Sequence, residues 1–209
     1  LALPASVGLI LLRTPVVAAL YQRGVFTAQS TELVAWALLW YAAGLVGHSV
    51  VEIVSRAFYA LHDTRTPVTI GVIAMSLNIA MSIGFSSLFT RWGWMPHGAL
   101  AVANSLATFL EMSVLLVFMR RRLSGLEGKK VLNGLMNALI AGGVMALTLW
   151  GWMRLTVRLN AGSSALPWVT ALGGITVGAV VYAVVLVAMR VPETKLVMDG
   201  IKRRLRKQP

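Results

Sequence analysis

The sequence predicts an all-α fold, a polytopic membrane bundle of about six transmembrane helices. Three observations predict it. From Val68 to Thr90 the chain carries no ionisable side chain, and comparable apolar stretches recur along its length. Hydrophobic residues make up 57% of the 209 residues and charged residues only 12%, a balance foreign to a water-soluble domain. No strand-like alternation of apolar and polar residues competes with the helical reading. A hydrocarbon core of about 30 Å needs roughly 20 apolar residues as helix, because lipid offers no partner to an unpaired backbone N–H or C=O.

Hydropathy and punctuation place the spans in order. The first is expected over Leu1–Leu20, where Arg13 either lines a cavity or marks an earlier end before Thr14 and Pro15. Gly24 and Ser30 punctuate the next loop, and the second span follows over Leu33–Leu61. Thr66 as N-cap and Pro67 as first helical residue open the third, Pro67–Phe89. Arg91 to Pro96 separates it from the fourth, His97–Met119. Ser124 and Gly125 precede the fifth, Val131–Met153, and Asn160 to Pro167 leads into the sixth, Pro167–Met189. Short loops favour antiparallel neighbours. The chain opens on Leu1 inside an apolar stretch, with no initiator Met and no basic n-region, and is expected to be part of something longer.

Basic residues orient the bundle. Arg56, Arg65, Arg120, Arg121, Arg122, Lys129, Lys130 and the tail from Arg190 to Lys207 gather at one set of ends, against Arg23, Arg91, Arg154 and Arg158 at the other. The positive-inside rule puts the first set, and the C-terminus, in the cytoplasm. Trp92, Trp94, Trp150, Trp152 and Trp168 sit near the opposite ends, as an interfacial belt would. This topology accounts for the net charge of +12 without nucleic acid as a partner. In residues 190–209, Val197, Ile201 and Leu205 repeat at four-residue spacing among basic residues, the pattern of an amphipathic segment on anionic membrane lipids.

Polar residues inside the spans are the candidate functional groups. His48, Glu52 and Arg56 recur at i, i+4 and i+8, within an arc of about 80° on one helix face. Two readings stay open: a stripe facing a substrate or ion pathway, or an intrahelical Glu52–Arg56 pair that makes buried charge tolerable while Arg56 snorkels to the surface. Glu111, with Asn104 seven residues earlier, is a second lining position, and Asn78 and Asn104 also suit interhelical hydrogen bonds. Ala43 with Gly47, Gly174 with Gly178, and the cluster of Gly142, Gly143 and Ala146 suit close helix packing, or a lipid-facing groove between the last two helices. Phosphate-loop, dinucleotide and zinc or serine hydrolase motifs are absent, so neither an enzyme nor a cofactor is expected. Cysteine is absent and the three histidines are dispersed at 48, 62 and 97, which leaves no expected metal site.

The most specific text is R-A-F-Y-A-L-H-D-T-R-T-P-V, Arg56 to Val68. It ends one helix, turns through Asp63, Thr64, Arg65 and Thr66, and starts the next with Pro67, and Asp63 and Arg65 can hold that turn. This text resembles the MurJ or MviN family, lipid II flippases of the multidrug/oligosaccharidyl-lipid/polysaccharide exporter superfamily. The L-A-L-P opening at Leu1, Y-Q-R-G-V-F-T-A from Tyr21 and H-G-A-L-A-V-A-N-S from His97 resemble the same family in the same order.

The resemblance implies the ninth to fourteenth helices of a fourteen-helix transporter. Residues 1–123 would be four core helices of the C-terminal lobe, 124–189 two further helices grooved for the polyprenyl tail, and 190–209 the basic tail. It implies lipid II, an undecaprenyl-pyrophosphate-linked disaccharide-pentapeptide, as cargo, moved by gradient-coupled alternating access. The candidate cavity or gate residues, His48, Glu52, Arg56 and Glu111, and the cytoplasmic turn of Asp63, Arg65 and Pro67 rest instead on the reading of the residues themselves. The family's headgroup-binding arginines lie mainly outside this chain, and at Glu52 several relatives are expected to carry lysine, so neither role transfers. The competing functions are export of another polyprenyl-linked oligosaccharide or a drug, and a scaffold that recruits cell-wall synthesis proteins through its basic tail.

Overall fold

The computed structural model describes residues 2–122, 128–159 and 165–189, with the side chains of residues 128–131 left aside. The basic tail, its amphipathic pattern and Lys129 and Lys130 as side chains lie outside that description. Six helices follow in order: α1 (Ala2–Tyr21), α2 (Ala28–Ala60), α3 (Arg65–Arg91), α4 (His97–Arg122), α5 (Gly128–Leu159) and α6 (Leu166–Ala188). All are long and apolar enough to cross a membrane.

Several boundaries differ from the sequence expectation, each for a local reason. α2 begins five residues earlier than Leu33, because the Thr27 hydroxyl caps it by accepting the Ser30 N–H at 3.4 Å. α1 runs unbroken through Pro15 to Tyr21, so Arg13 does not mark its end, and the Arg13 guanidinium donates to the Ile10 carbonyl at 2.6 Å. α3 starts at Arg65, which makes Pro67 its third residue rather than its first. Proline is tolerated there because the first turn's N–H groups lack intrahelical acceptors anyway. α5 extends to Leu159, past the expected Met153.

The helices pack as a row. α4 lies between α2 and α3, α2 lies between α4 and α1, and the paired α5 and α6 pack on the far side of α1. α2 and α3 scarcely touch although a short turn joins them. Small residues set these approaches. At Gly44 an added Cβ would run into Ser105 of α4, and at Gly47 it would lie 3.2 Å from the Thr108 methyl. The close pair facing α4 is therefore Gly44 and Gly47, where the sequence suggested Ala43 and Gly47. Hydroxyls stitch the same seams: Ser105 donates to the Trp40 carbonyl and Ser6 of α1 to the Ala42 carbonyl, both at 2.6 Å. Two apolar cores result, one around Val54, Phe58, Leu115 and Met119, the other around Leu12, Met145 and Leu149.

Trp36, Trp40, Trp92, Trp94 and Phe89 form an aromatic cluster where α2, α3 and α4 meet, with centroids 5.2–6.5 Å apart, edge to face except for the stacked Phe89–Trp92 pair. Trp152 departs from the expected belt. Its Nε1 donates to the Thr170 carbonyl at 3.3 Å, so it serves the α5–α6 seam.

Candidate functional site

The polar residues within the spans converge on the crease that α2 and α3 form over α4. His48 Nε2 lies 3.1 Å from Asn104 Nδ2 and 3.2 Å from Thr108 Oγ1. Asn78 of α3 donates through Nδ2 to Asn104 Oδ1 at 3.4 Å, and Ser82 donates to Asn78 Oδ1 at 3.2 Å. A continuous chain of hydrogen bonds thus links α2 to α3 across α4, although those two helices have little backbone contact. Asn104 thus sits between the two helices, its Nδ2 toward His48 and its Oδ1 toward Asn78. Thr108 also donates to the backbone carbonyl of Asn104 at 2.9 Å.

Glu111 lies one turn below Thr108, its Oε1 3.4 Å from where a Cβ on Gly71 would sit and within electrostatic reach of His48. Glu52 and Arg56 pair with each other along α2, and both are exposed, 64% and 74% at the side chain. The pair is intrahelical, as one of the two readings of the sequence had it, and no other described helix covers it.

At the end of α2 the chain turns sharply. The N–H groups of His62 and Asp63 return to the carbonyls of Tyr59 and Phe58, a Schellman closure, with His62 at φ 58° where glycine is usual. α3 ends on the same motif with Gly93 at φ 71°. Asp63 then caps α3, accepting the Thr66 N–H at 3.1 Å and its hydroxyl at 2.7 Å. Those hydrogen bonds, with the Arg122 guanidinium 2.9 Å away, hold the Asp63 carboxyl below the ordinary aspartate range. Arg122 also lies 5.9 Å over the Phe58 ring.

Three helix ends therefore meet at Asp63. Of the three turn residues expected, Asp63 bonds, Pro67 is buried, and the exposed Arg65 side chain makes no ion pair among the described residues. Arg122 is the residue sequence reasoning missed as a partner, since nothing in local spacing links positions 59 apart.

The glycines of the last two helices divide. A Cβ at Gly142 would lie 2.8 Å from Leu3, and one at Gly174 would lie 2.8 Å from Leu12, so both seat α1. Gly178 receives Met145 of α5, and Gly143 faces open space.

The sequence profile described as "Lipid II flippase MurJ" matches residues 1–171. The chain belongs to the MurJ family. The "Probable lipid II flippase MurJ" of Vibrio cholerae serotype O1 is 36% identical over 115 residues, 55% of this chain and 21% of that protein. The MurJ relative from Rhizobium tropici is 28% identical and aligns with 98% of this chain and 38% of its own length. Among solved structures, one described as lipid II flippase MurJ in an inward closed conformation superposes with TM-score 0.67 at 26% identity, covering 90% of this chain and 36% of that one. This chain thus spans well under half the length of these MurJ relatives, and it has the helical, multi-pass membrane character of the family.

Proposed function

We propose that the protein acts in lipid II flipping, supplying the C-terminal part of a MurJ-type transporter. The observation that carries this reading is the family match over residues 1–171. In it α1–α4 form half of an alternating-access core, α5 and α6 form an added pair grooved for the polyprenyl tail, and the α2–α3 turn and C-terminus face the cytoplasm. The cargo's charged, sugar-bearing headgroup needs a polar passage, while its tail stays in an apolar one.

The crease of His48, Asn104, Thr108, Asn78 and Glu111, beside the exposed Glu52–Arg56 pair, suits the first need. α6, which carries no charged side chain, beside α5 suits the second. Glu52 and Arg56 act as gate or cavity residues against the other half of the transporter. The process moves cargo rather than converting it, driven by an electrochemical gradient with no cofactor.

The test places this chain as the C-terminal portion of a full-length MurJ relative in bacteria whose own flippase can be switched off. Newly made lipid II should become accessible to an enzyme added outside the membrane, and the 209-residue chain alone should give none. No access from the correctly inserted chimera would turn the reading toward another polyprenyl-linked cargo or a scaffold.

A further inference from the structure

The end of α5 carries a charged cavity that the flipping reading does not use. Trp150, Met153, Arg154, Val157 and Arg158 line about 290 Å³ on one face of this helix. The two arginines stand at i and i+4, with Met153 and Val157 each one residue nearer the start of the helix than its neighbouring arginine. The Arg154 guanidinium rests 4.9 Å from the Trp150 ring centre, which fixes its plane while leaving its N–H edge free to donate.

No carboxylate neutralises either arginine among the described residues. Glu52 and Asp63 are paired with Arg56 and Arg122, and Glu111 lies against Gly71. Glu32, the remaining described acid, makes no ion pair. Depth fits a headgroup as well. The membrane-competent part of α5, Leu132–Leu159, has 28 residues and is about 42 Å long, roughly a bilayer with both headgroup layers. Its last turns therefore lie at phosphate level, at the end where Arg23 also stacks on Trp168.

We propose that this cavity binds the phosphodiester headgroup of an anionic phospholipid, with Arg154 and Arg158 donating to the phosphate and Trp150, Met153 and Val157 covering the first carbons beneath it. Two unneutralised guanidinium groups favour a lipid whose phosphate charge is not cancelled by a choline or ethanolamine. The site is built from residues of α5 alone, and the assay below measures no flipping.

The purified protein, incubated with equal phosphatidylglycerol and phosphatidylcholine, is read by native mass spectrometry. Phosphatidylglycerol should be retained preferentially. Arg154→Gln and Arg158→Gln should each weaken that preference about fivefold, and the double variant roughly twentyfold. Arg23→Gln and Arg91→Gln, at the same end but outside the cavity, should leave it intact. A second measurement needs no arginine change: brominated phosphatidylglycerol should quench a fluorescence component that Trp150→Phe removes, and brominated phosphatidylcholine should not. Equal retention of the two lipids, an unchanged preference in the double variant, or quenching indifferent to Trp150 would overturn the proposal. So would displacement of phosphatidylglycerol by an equal amount of polyprenyl pyrophosphate or by inorganic phosphate, which would assign the site to a different phosphate source.

Discussion

Asp63 shows how one side chain can organise a helical hairpin. It satisfies the start of α3 through Thr66 and pairs with Arg122 at the end of α4. Because its carboxyl is held below the ordinary value in the folded chain, its contribution is fully present above about pH 4 and disappears as pH falls through the lowered folded value. Asp63→Asn should therefore melt earlier than the parent near neutral pH, with the difference narrowing as the solution is acidified toward pH 3. Parallel melting curves across that range, with a constant offset, would deny Asp63 this ionised role. His62 beside it takes the left-handed conformation that costs a non-glycine residue about 1 kcal/mol, and the hydrogen bonds of the turn hold it there.

Between elements, contact depends on what each glycine leaves room for. Gly174 admits Leu12, which is only 1% exposed and has little space to retreat into. Gly174→Ala should cost about 1–3 kcal/mol through overpacking at the α1–α6 seam. Gly143→Ala meets nothing within 4 Å and should be neutral or gain up to about 1 kcal/mol of helix propensity. Unfolding both variants in mixed micelles checks the contrast, and equal effects would contradict this packing.

Polar seams follow a different rule. Asn104 alone connects His48 to Asn78, so Asn104→Ala removes both links at once. Interhelical hydrogen bonds in membranes average about 0.6 kcal/mol each, which puts the loss near 1 kcal/mol. A double-mutant cycle between positions 48 and 78 should show coupling in the parent and none in the Asn104→Ala background. Persistent coupling there would mean that α2 and α3 communicate by another route.

For the whole molecule, orientation follows from charge asymmetry rather than from contacts. The absence of cysteine makes it directly measurable. Thr64→Cys in the α2–α3 turn should react with a membrane-impermeant maleimide only after the cytoplasmic side is opened, and Met95→Cys between α3 and α4 should react in intact cells. The reverse pattern would invert the bundle and with it the proposed direction of transport. Packing as a row, with α3 held mainly by α4, leaves wide faces of α2 and α3 uncovered. The uncovered face of α2 bears Glu52 and Arg56, and in the proposed reading these faces meet the rest of the transporter.

The sequence by itself determined the class, the number of spans and their order, because a bilayer demands long apolar helices and leaves no alternative for the backbone. It also showed which polar residues share a helix face, since His48, Glu52 and Arg56 follow from the helical period alone. Helix ends were less legible. Thr27 and Asp63 act through hydrogen bonds to the first turns of α2 and α3, which outweigh hydropathy at the boundary.

Tertiary structure alone decided which faces meet: that Asn104 joins His48 to Asn78, that Arg122 rather than Arg65 answers Asp63, and that Gly142 and Gly174 seat α1 while Gly143 does not. Such partners lie tens of residues apart and are selected by shape and hydrogen-bond geometry across helices. Periodicity along one helix carries no information about them.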